Sequence, residues 1–148
     1  MSAPMSAPMS ALSLSEATHP ISGRCALVSD LHLNGGARDA YVLRALLELE
    51  ERFKPLEHLI IVGDLFDFHL GYPSAPYPHL KPVYQALEEL IKRGVCVWSF
   101  TGNHDPDPCP WLKELGVKVL TRAATFELEL KGGGVRRLLV EHGDLREP

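Results

Sequence analysis

Residues 59–67 read Leu-Ile-Ile-Val-Gly-Asp-Leu-Phe-Asp, and this stretch decides the fold. A short, continuous apolar run that ends in Gly-Asp is typical of a buried strand in a parallel sheet. Three other apolar runs in the chain also end abruptly in polar residues that bind metal ions. They are Cys25–Val28 before Ser29-Asp30-Leu31-His32, Val95–Phe100 before Gly102-Asn103-His104-Asp105, and Leu138–Val140 before His142-Gly143-Asp144.

The spacing of these polar ends indicates that they meet. Asp30, Asp64, Asn103 and His142 follow one another at intervals of 34 to 39 residues. A strand-helix-strand unit takes roughly 30 or more residues, so each run can return to the same rim of one sheet. Ligands gather at the carboxyl ends of strands in α/β sheets. The sequence therefore predicts an α/β fold with a cation site at that rim.

Each motif alone has a simpler explanation as a turn. Gly63-Asp64 and His142-Gly143-Asp144 are ordinary turn sequences, and Asp-x-His after a strand often only caps the next turn. Gly102-Asn103-His104-Asp105 offers an amide oxygen, an imidazole and a carboxylate within three residues, which is more than a turn requires. The occurrence of all four motifs in this order, each behind an apolar run, favours the metal site.

Taken together, the four motifs resemble those of the calcineurin-like metallophosphoesterases, over residues 24 to 144. Within that superfamily, Asp30-Leu31-His32-Leu33, Gly63-Asp64-Leu65-Phe66-Asp67-Phe68 and His142-Gly143-Asp144 are most similar to the bacterial UDP-2,3-diacylglucosamine diphosphatases. Those enzymes make lipid X for lipid A synthesis. Some of them carry Arg at the position of His104, and others carry His. The resemblance implies an αββα sandwich.

The resemblance also implies a two-metal site, with Mn²⁺ expected and iron or zinc as alternatives. The implied ligands are the side chains that follow the four strands: Asp30, His32, Asp64, Asn103 and His142. Asp64 would bridge the two ions. Carboxylate, amide oxygen and imidazole together suit Mn²⁺ or a similar borderline ion.

Four further residues receive roles from the same resemblance. His104 is expected to stabilise the transition state or protonate the leaving oxygen, as a general acid does. Asp105 is expected to orient His104. Asp67 and Asp144 are expected to fix imidazole or loop orientation from outside the ligand set.

The family pattern normally closes with a downstream Gly-His-x-His, and the sequence contains none. By resemblance, each of those two histidines binds one metal, so each ion would lack one ligand. We therefore expect the N-terminal portion of the sandwich with an incomplete second sheet, in a C-terminally truncated domain over 23–148. Three functions follow as hypotheses: a UDP-2,3-diacylglucosamine hydrolase-like enzyme, a catalytically inactive fragment or remnant, and a general phosphodiesterase or nuclease.

Composition narrows the class of protein. Hydrophobic residues make up 45% of the chain and charged residues 23%, as in an ordinary globular domain. The net charge of −4 supplies no basic field for a nucleic-acid backbone, so no nucleic acid is expected as a partner. The expected partner is a phosphate ester or a nucleotide-sugar-lipid substrate. The sequence does not predict the oligomeric state.

The N-terminal residues and the cysteines indicate the cellular compartment of the protein. Residues 1–22 begin with a Met-Ser-Ala-Pro repeat and are expected to form a disordered, low-complexity leader without the features of a signal peptide. Three cysteines with no framework spacing indicate a reducing compartment. We expect a cytoplasmic protein, with contact to the inner face of the membrane through a lipid substrate as an open alternative.

Local patterns predict the remaining elements. Apolar residues at helical spacing predict helices over 39–53 and 80–93, and a shorter helix is expected over 110–115. Period-two alternation on either side of Gly132-Gly133-Gly134 predicts a hairpin of 125–130 with 135–141. The Pro- and Tyr-rich loop over 70–78 is either a substrate lid or a surface connection. His69, just before this loop, is a candidate for substrate contact.

Overall fold

The computed structural model describes residues 18–69, 76–106, 110–121 and 123–144. This part of the chain contains two β-sheets and three α-helices. In chain order the elements are β1 (Thr18–Ile21), β2 (Cys25–Val28), α1 (Asp39–Arg52), β3 (His58–Val62), α2 (Lys81–Lys92), β4 (Cys96–Phe100), α3 (Pro110–Leu115), β5 (Lys118–Leu120), β6 (Ala124–Glu129) and β7 (Val135–Val140).

A four-stranded parallel sheet carries the candidate site. Its strand order is β2-β3-β4-β5, and each connection contains one helix. Val28 lies opposite Ile61, and Ile61 lies opposite Ser99, so the carboxyl ends of the strands reach one rim. The α/β class and the three helices predicted from the sequence are confirmed, with ends that differ by a residue or two.

A second sheet of order β1-β6-β7 contains the predicted hairpin, in which β6 and β7 run antiparallel. Strand β1 pairs in parallel with β6, which the sequence did not predict. The expected disordered leader over 1–22 is therefore wrong at its end, because Thr18–Ile21 is a strand. Ile21 is 3% exposed and is buried between the sheets. Residues 1–17 lie outside the described part.

Strand β3 shows why the layers stack as they do. Leu59 and Ile61 point to the helices, whereas Ile60 points to the second sheet, because successive side chains of a strand face opposite sides. All three are at most 1% exposed. Full burial of such a side chain contributes about 1.5–3 kcal/mol. The described residues thus form helix, sheet and sheet layers, in agreement with the expected two-sheet sandwich.

The chain reaches α2 through a short 3-10 helix over Pro78–Leu80. Most of the loop that we considered as a substrate lid, residues 70–75, lies outside the described residues, so that prediction stays a prediction. Among the helices of the described part, none is both long enough and apolar enough to cross a membrane.

Candidate metal centre

Three of the expected ligands converge beyond the ends of β2 and β3. Nε2 of His32 lies 3.7 Å from Oδ1 of Asp30 and 3.7 Å from Oδ2 of Asp64. One ligand atom from each of the three residues lies within 4.8 Å of the others. Asp64 is buried, whereas the Asp30 side chain is half exposed. A cation can therefore reach this cluster from solvent and meet a fixed carboxylate.

The backbone at these residues is held in an uncommon conformation. Asp30, His32 and Asp64 have φ angles of 54°, 47° and 50°, in the left-handed region that non-glycine residues rarely adopt. The two loops hold each other there, because the Asp30 N–H donates to the Gly63 carbonyl at 3.2 Å and the His32 N–H donates to the Asp64 carbonyl at 3.0 Å. Strain of this kind clusters at functional sites.

The remaining two expected ligands, Asn103 and His142, also lie at the Asp64 carboxylate. Nε2 of His142 lies 3.3 Å from Oδ2 of Asp64 and 3.1 Å from Oδ1 of Asn103. Nδ1 of His142 lies 2.8 Å from the Val62 carbonyl, which can only accept a hydrogen bond. Nδ1 therefore carries the proton, and the lone pair of the neutral ring sits on Nε2, toward Asp64 and Asn103.

The charge of this cluster is negative. Burial alone would lower the pKa of His142, but the hydrogen bond to Val62 and the charges of Asp64, Asp30 and Asp144 outweigh it and raise that pKa. The rise in pKa shows a field that attracts cations. Asp144 contributes to this field through its charge, which is the smallest of the effects on the pKa of His142.

Two glycines make room for these ligands. Gly63 has a φ of +75°, and a Cβ added there would collide with the His142 ring. A Cβ at Gly102 would collide with the carboxylate and backbone nitrogen of Asp64. The glycines in Gly63-Asp64 and Gly102-Asn103 are therefore required by the close packing of the loops after β3, β4 and β7.

The residues present fit a pair of divalent cations. Asp30, His32 and Asp64 would hold one ion, and Asp64, Asn103 and His142 would hold the other. Carboxylate oxygens, one amide oxygen and two imidazole nitrogens form a mixed donor set that suits manganese, iron or zinc. One oxygen of Asp64, Oδ2, lies 3.7 Å from Nε2 of His32 and 3.3 Å from Nε2 of His142, so both ions could share this carboxylate.

His104 sits beside the first cluster and has a different environment from the ligands. Its Nδ1 lies 2.6 Å from the Asp67 carbonyl, and its ring packs edge-on against His32 with centroids 4.8 Å apart. Its backbone N–H donates to Oδ1 of Asp64 at 3.0 Å. Because the carbonyl only accepts, Nδ1 carries a proton and Nε2 is the atom that can exchange one.

The expected role of Asp105 in orienting His104 stays a prediction, because the contacts of its carboxylate are of another kind. The carboxylate of Asp105 instead accepts three backbone N–H groups, from Gly102 at 2.8 Å, Asp64 at 3.1 Å and Phe66 at 3.2 Å. Asp105 is 6% exposed. Burial raises its pKa, as does the nearby charge of Asp64, while these hydrogen bonds lower it. Asp105 therefore joins the loops after β3 and β4.

Asp67, which the sequence led us to expect as a residue that fixes imidazole or loop orientation, lies close to two imidazole rings. Its Oδ1 lies 3.3 Å from Nδ1 of His32 and 3.8 Å from Nδ1 of His104. A carboxylate on Nδ1 directs Nε2 of His32 toward Asp30 and Asp64. The extended Gly63–Phe68 motif contained this residue, but only the fold shows which imidazole it faces.

A parallel α/β sheet with a carboxylate and imidazole cluster at its carboxyl rim, backed by a second sheet, is a scaffold on which a metal-dependent phosphoesterase can work. The comparison with known families agrees. Residues 23–147 match the calcineurin-like phosphoesterase family, and the chain belongs to this family.

Curated relatives extend the comparison. The chain is 32% identical over 118 residues to the UDP-2,3-diacylglucosamine hydrolase of Proteus mirabilis (strain HI4320), covering 79% of this chain and 46% of that protein. It is 31% identical over 120 residues to the protein of the same name from Aeromonas salmonicida (strain A449), covering 80% and 44%. The chain spans about half the length of the curated relatives it matches.

A solved structure gives the same picture of the fold. The nuclease MPE of Pseudomonas putida superposes with a TM-score of 0.51 at 26% sequence identity. The match covers 67% of this chain and 48% of that one.

Proposed function

We propose that this chain forms the metal-binding half of a hydrolase that cleaves a phosphate ester or pyrophosphate, with a UDP-2,3-diacylglucosamine-like molecule as substrate. The observation that carries the proposal is the position of the Asp64 carboxylate between His32 and His142, at 3.7 and 3.3 Å. The names of the curated relatives support the substrate class. Manganese is the proposed metal.

The ligand residues have a defined task in this proposal. Divalent cations, when bound, neutralise charge on phosphate oxygens and acidify water. The buried Asp64 fixes the centre of the site, and the Val62 carbonyl and Asp67 set the tautomers of His142 and His32. These contacts hold the ligand side chains in place, so the reacting groups need little rearrangement.

His104 is the proposed proton donor. The Asp67 carbonyl takes its Nδ1–H, so the protonated ring presents Nε2–H to a leaving oxygen. The side chain is 43% exposed, which leaves the ring accessible to a substrate. General acid groups typically contribute about 10²- to 10⁴-fold to rate.

The test of the metal site uses Asp64→Asn, with Glu88→Gln on α2 as a matched control that also removes one carboxylate charge. Mn²⁺ binding is measured by calorimetry, and UMP release is measured from UDP-2,3-diacylglucosamine. We expect Asp64→Asn to lower Mn²⁺ affinity at least ~10-fold and to abolish any UMP release, while Glu88→Gln changes neither. Unchanged Mn²⁺ affinity in Asp64→Asn would refute the site.

A second candidate function is cleavage of nucleic acid, supported by the likeness to the Pseudomonas putida nuclease. The net charge of −4 argues against it. Assaying single-stranded DNA beside UDP-2,3-diacylglucosamine separates the two. Mn²⁺ binding without turnover of either substrate would support the third hypothesis, a catalytically inactive form.

We also propose a cytoplasmic location. Cys25 and Cys96 are free thiols, and burial raises the pKa of the Cys25 thiol to about 11. A thiol of that kind is an unreactive core residue. Fractionation of cells that express a tagged chain tests this location.

A further inference from the structure

A cavity of about 370 Å³ lies beside the candidate metal centre and is lined in part by Asp67. Its volume falls in the range of small-molecule sites, roughly 300–1,000 Å³. The residues that line it and enter the argument are Asn34, Asp67, Phe68, His69, Tyr77 and His79. Asp67 belongs both to this cavity and to the contacts of His32 and His104. A ligand at the metal centre can therefore extend into the cavity.

Aromatic rings form one wall of the cavity. Tyr77 and His79 are stacked, with centroids 5.7 Å apart and an interplanar angle of 16°. His69 packs against Tyr77 at 5.7 Å and against the buried Phe66 at 4.9 Å. His69 itself is 1% exposed, so the wall is anchored in the core. A flat, rigid ring surface of this kind is suited to stacking.

Phe68 lines the same cavity and is 73% exposed. Single exposed apolar residues are common on protein surfaces and do not by themselves indicate a binding site. Phe68, however, follows directly on Asp67 and shares its cavity with Tyr77, which is 37% exposed. Three rings, those of Phe68, Tyr77 and His79, are thus open to solvent around one cavity beside the candidate metal centre.

Polar groups at the edge of the cavity favour a ring that can form hydrogen bonds over a hydrocarbon chain. Oδ1 of Asn34 accepts the Gly36 N–H at 2.9 Å, which fixes the orientation of the amide. Its Nδ2 lies 3.5 Å from Oδ2 of Asp67, a long contact that a better acceptor could replace. Gly35 lets the loop approach His79 closely, because a Cβ there would lie 2.8 Å from Cβ of His79.

We propose that this cavity, bounded by Phe68, Tyr77, His79 and Asn34, is the subsite for the nucleobase of a nucleotide whose phosphate lies at the metal centre. This inference rests on the proposed function and deepens it, since it assigns the nucleotide end of the substrate to one side of the site. Stacking on the rings supplies affinity for any base, and the Asn34 amide supplies a hydrogen-bonding partner for the edge of the base.

The first experiment compares UMP with ribose 5-phosphate, which has the phosphate but no base, on the full chain with Mn²⁺ by calorimetry. We expect UMP to bind about 10-fold more tightly, because stacking of one base contributes on that scale. Phe68→Ala and Tyr77→Ala should remove this preference and leave ribose 5-phosphate unchanged. Phe53→Ala, an exposed aromatic at the end of α1, is the control and should change neither.

Asp64→Asn separates the two proposals, because it should weaken UMP and ribose 5-phosphate equally. If neither UMP nor ribose 5-phosphate binds the wild-type chain, the proposal of a metal site is wrong. The proposal of a nucleobase subsite is then tested with uridine. Broadening of the uridine ring protons, observed by NMR at millimolar concentration, needs no metal and should disappear in Phe68→Ala.

Two results would overturn the subsite. In the first, both UMP preference and uridine broadening persist in Phe68→Ala and Tyr77→Ala. In the second, those substitutions weaken the binding of dodecyl phosphate and not of UMP, which would assign the cavity to a hydrocarbon chain.

Discussion

Replacement of Asp105 by Asn tests whether this side chain holds the metal-site loops together or serves His104. The carboxylate accepts the N–H groups of Gly102 and Asp64 on Oδ1 and that of Phe66 on Oδ2. An asparagine has one acceptor oxygen and one NH₂ group. If the oxygen keeps Gly102 and Asp64, the NH₂ group faces the Phe66 N–H, and two donors meet in a buried space.

The magnitude follows from these contacts. A buried N–H without an acceptor costs about 1–3 kcal/mol, and hydrogen bonds to a charged group contribute about 1.5–3 kcal/mol against about 1 for a neutral pair. Removal of the buried charge offsets part of this loss of stability, because burial and the charge of Asp64 disfavour ionised Asp105. We therefore expect Asp105→Asn to lower the free energy of unfolding by about 2–3 kcal/mol.

The assay is urea unfolding of the metal-free chain, followed by Mn²⁺ titration at a temperature where both proteins are folded. Mn²⁺ affinity should fall about 10- to 100-fold, as for other losses of residues that position ligands. Asp67→Asn is the matched control for the unfolding measurement. It makes the same chemical change in a carboxylate that is half exposed and faces the side chains of His32 and His104. That control should lose less than about 1 kcal/mol.

A free energy of unfolding within about 0.5 kcal/mol of the wild-type value, together with unchanged Mn²⁺ affinity, would refute the positioning role of Asp105. A loss of turnover alone, with stability and metal binding intact, would return Asp105 to the role of orienting His104.

Two further perturbations test the packing and the charge of the fold. Gly63→Ala should lose more than ~2 kcal/mol in urea unfolding, because an alanine at positive φ costs about 1–2 kcal/mol and its Cβ would also collide with His142. Gly116→Ala, at positive φ but with open space around it, should lose only the conformational part. Burial lowers the pKa values of His19 and His58 in the folded chain. The unfolded chain therefore binds protons first, near pH 6.5, and stability should fall as the pH drops below about 6.5. His142, whose pKa is raised in the folded chain, acts in the opposite direction mainly above about pH 6.5. An unfolding free energy that does not decrease between about pH 6.5 and about pH 5.5 would therefore contradict this expectation.

The strands that carry the site could be predicted because their local signals agree with their tertiary roles. Strand β3 is a continuous apolar run, as expected of a strand with a layer packed on each face. The hairpin of β6 and β7 alternates with period two and turns at a glycine run.

Strand β1 could not be predicted in the same way. It has four residues, it lies at the edge of its sheet, and it contains Pro20, which cannot donate to a ladder. Its partner β6 lies more than a hundred residues away in the chain. Only tertiary packing of Ile21 between the sheets shows that Thr18–Ile21 belongs to the fold.

The candidate ligands were predictable from their order in the chain, but the contacts that support them were not. Asp105 follows His104 directly, and this adjacency suggested a contact between the two side chains. In the structure, the carboxylate of Asp105 reaches the backbone of Asp64, 41 residues earlier. Long-range partners of this kind depend on the register of β3 and β4, which no local pattern contains.

The end of β3 explains why the candidate ligands lie close together, because it forms hydrogen bonds with the loops that carry them. The carbonyls of Gly63 and Asp64 accept the backbone N–H groups of Asp30 and His32. The Val62 carbonyl fixes the ring of His142.

The Asp64 carboxylate in turn accepts the backbone N–H of His104, so the other three motifs are all hydrogen-bonded to Val62, Gly63 or Asp64. A shift of this segment by one residue would exchange the faces of β3 and displace every ligand at once. The apolar run of β3 therefore positions the metal centre as well as the core, because Leu59, Ile60 and Ile61, at no more than 1% exposure, anchor the strand that ends in Gly63 and Asp64.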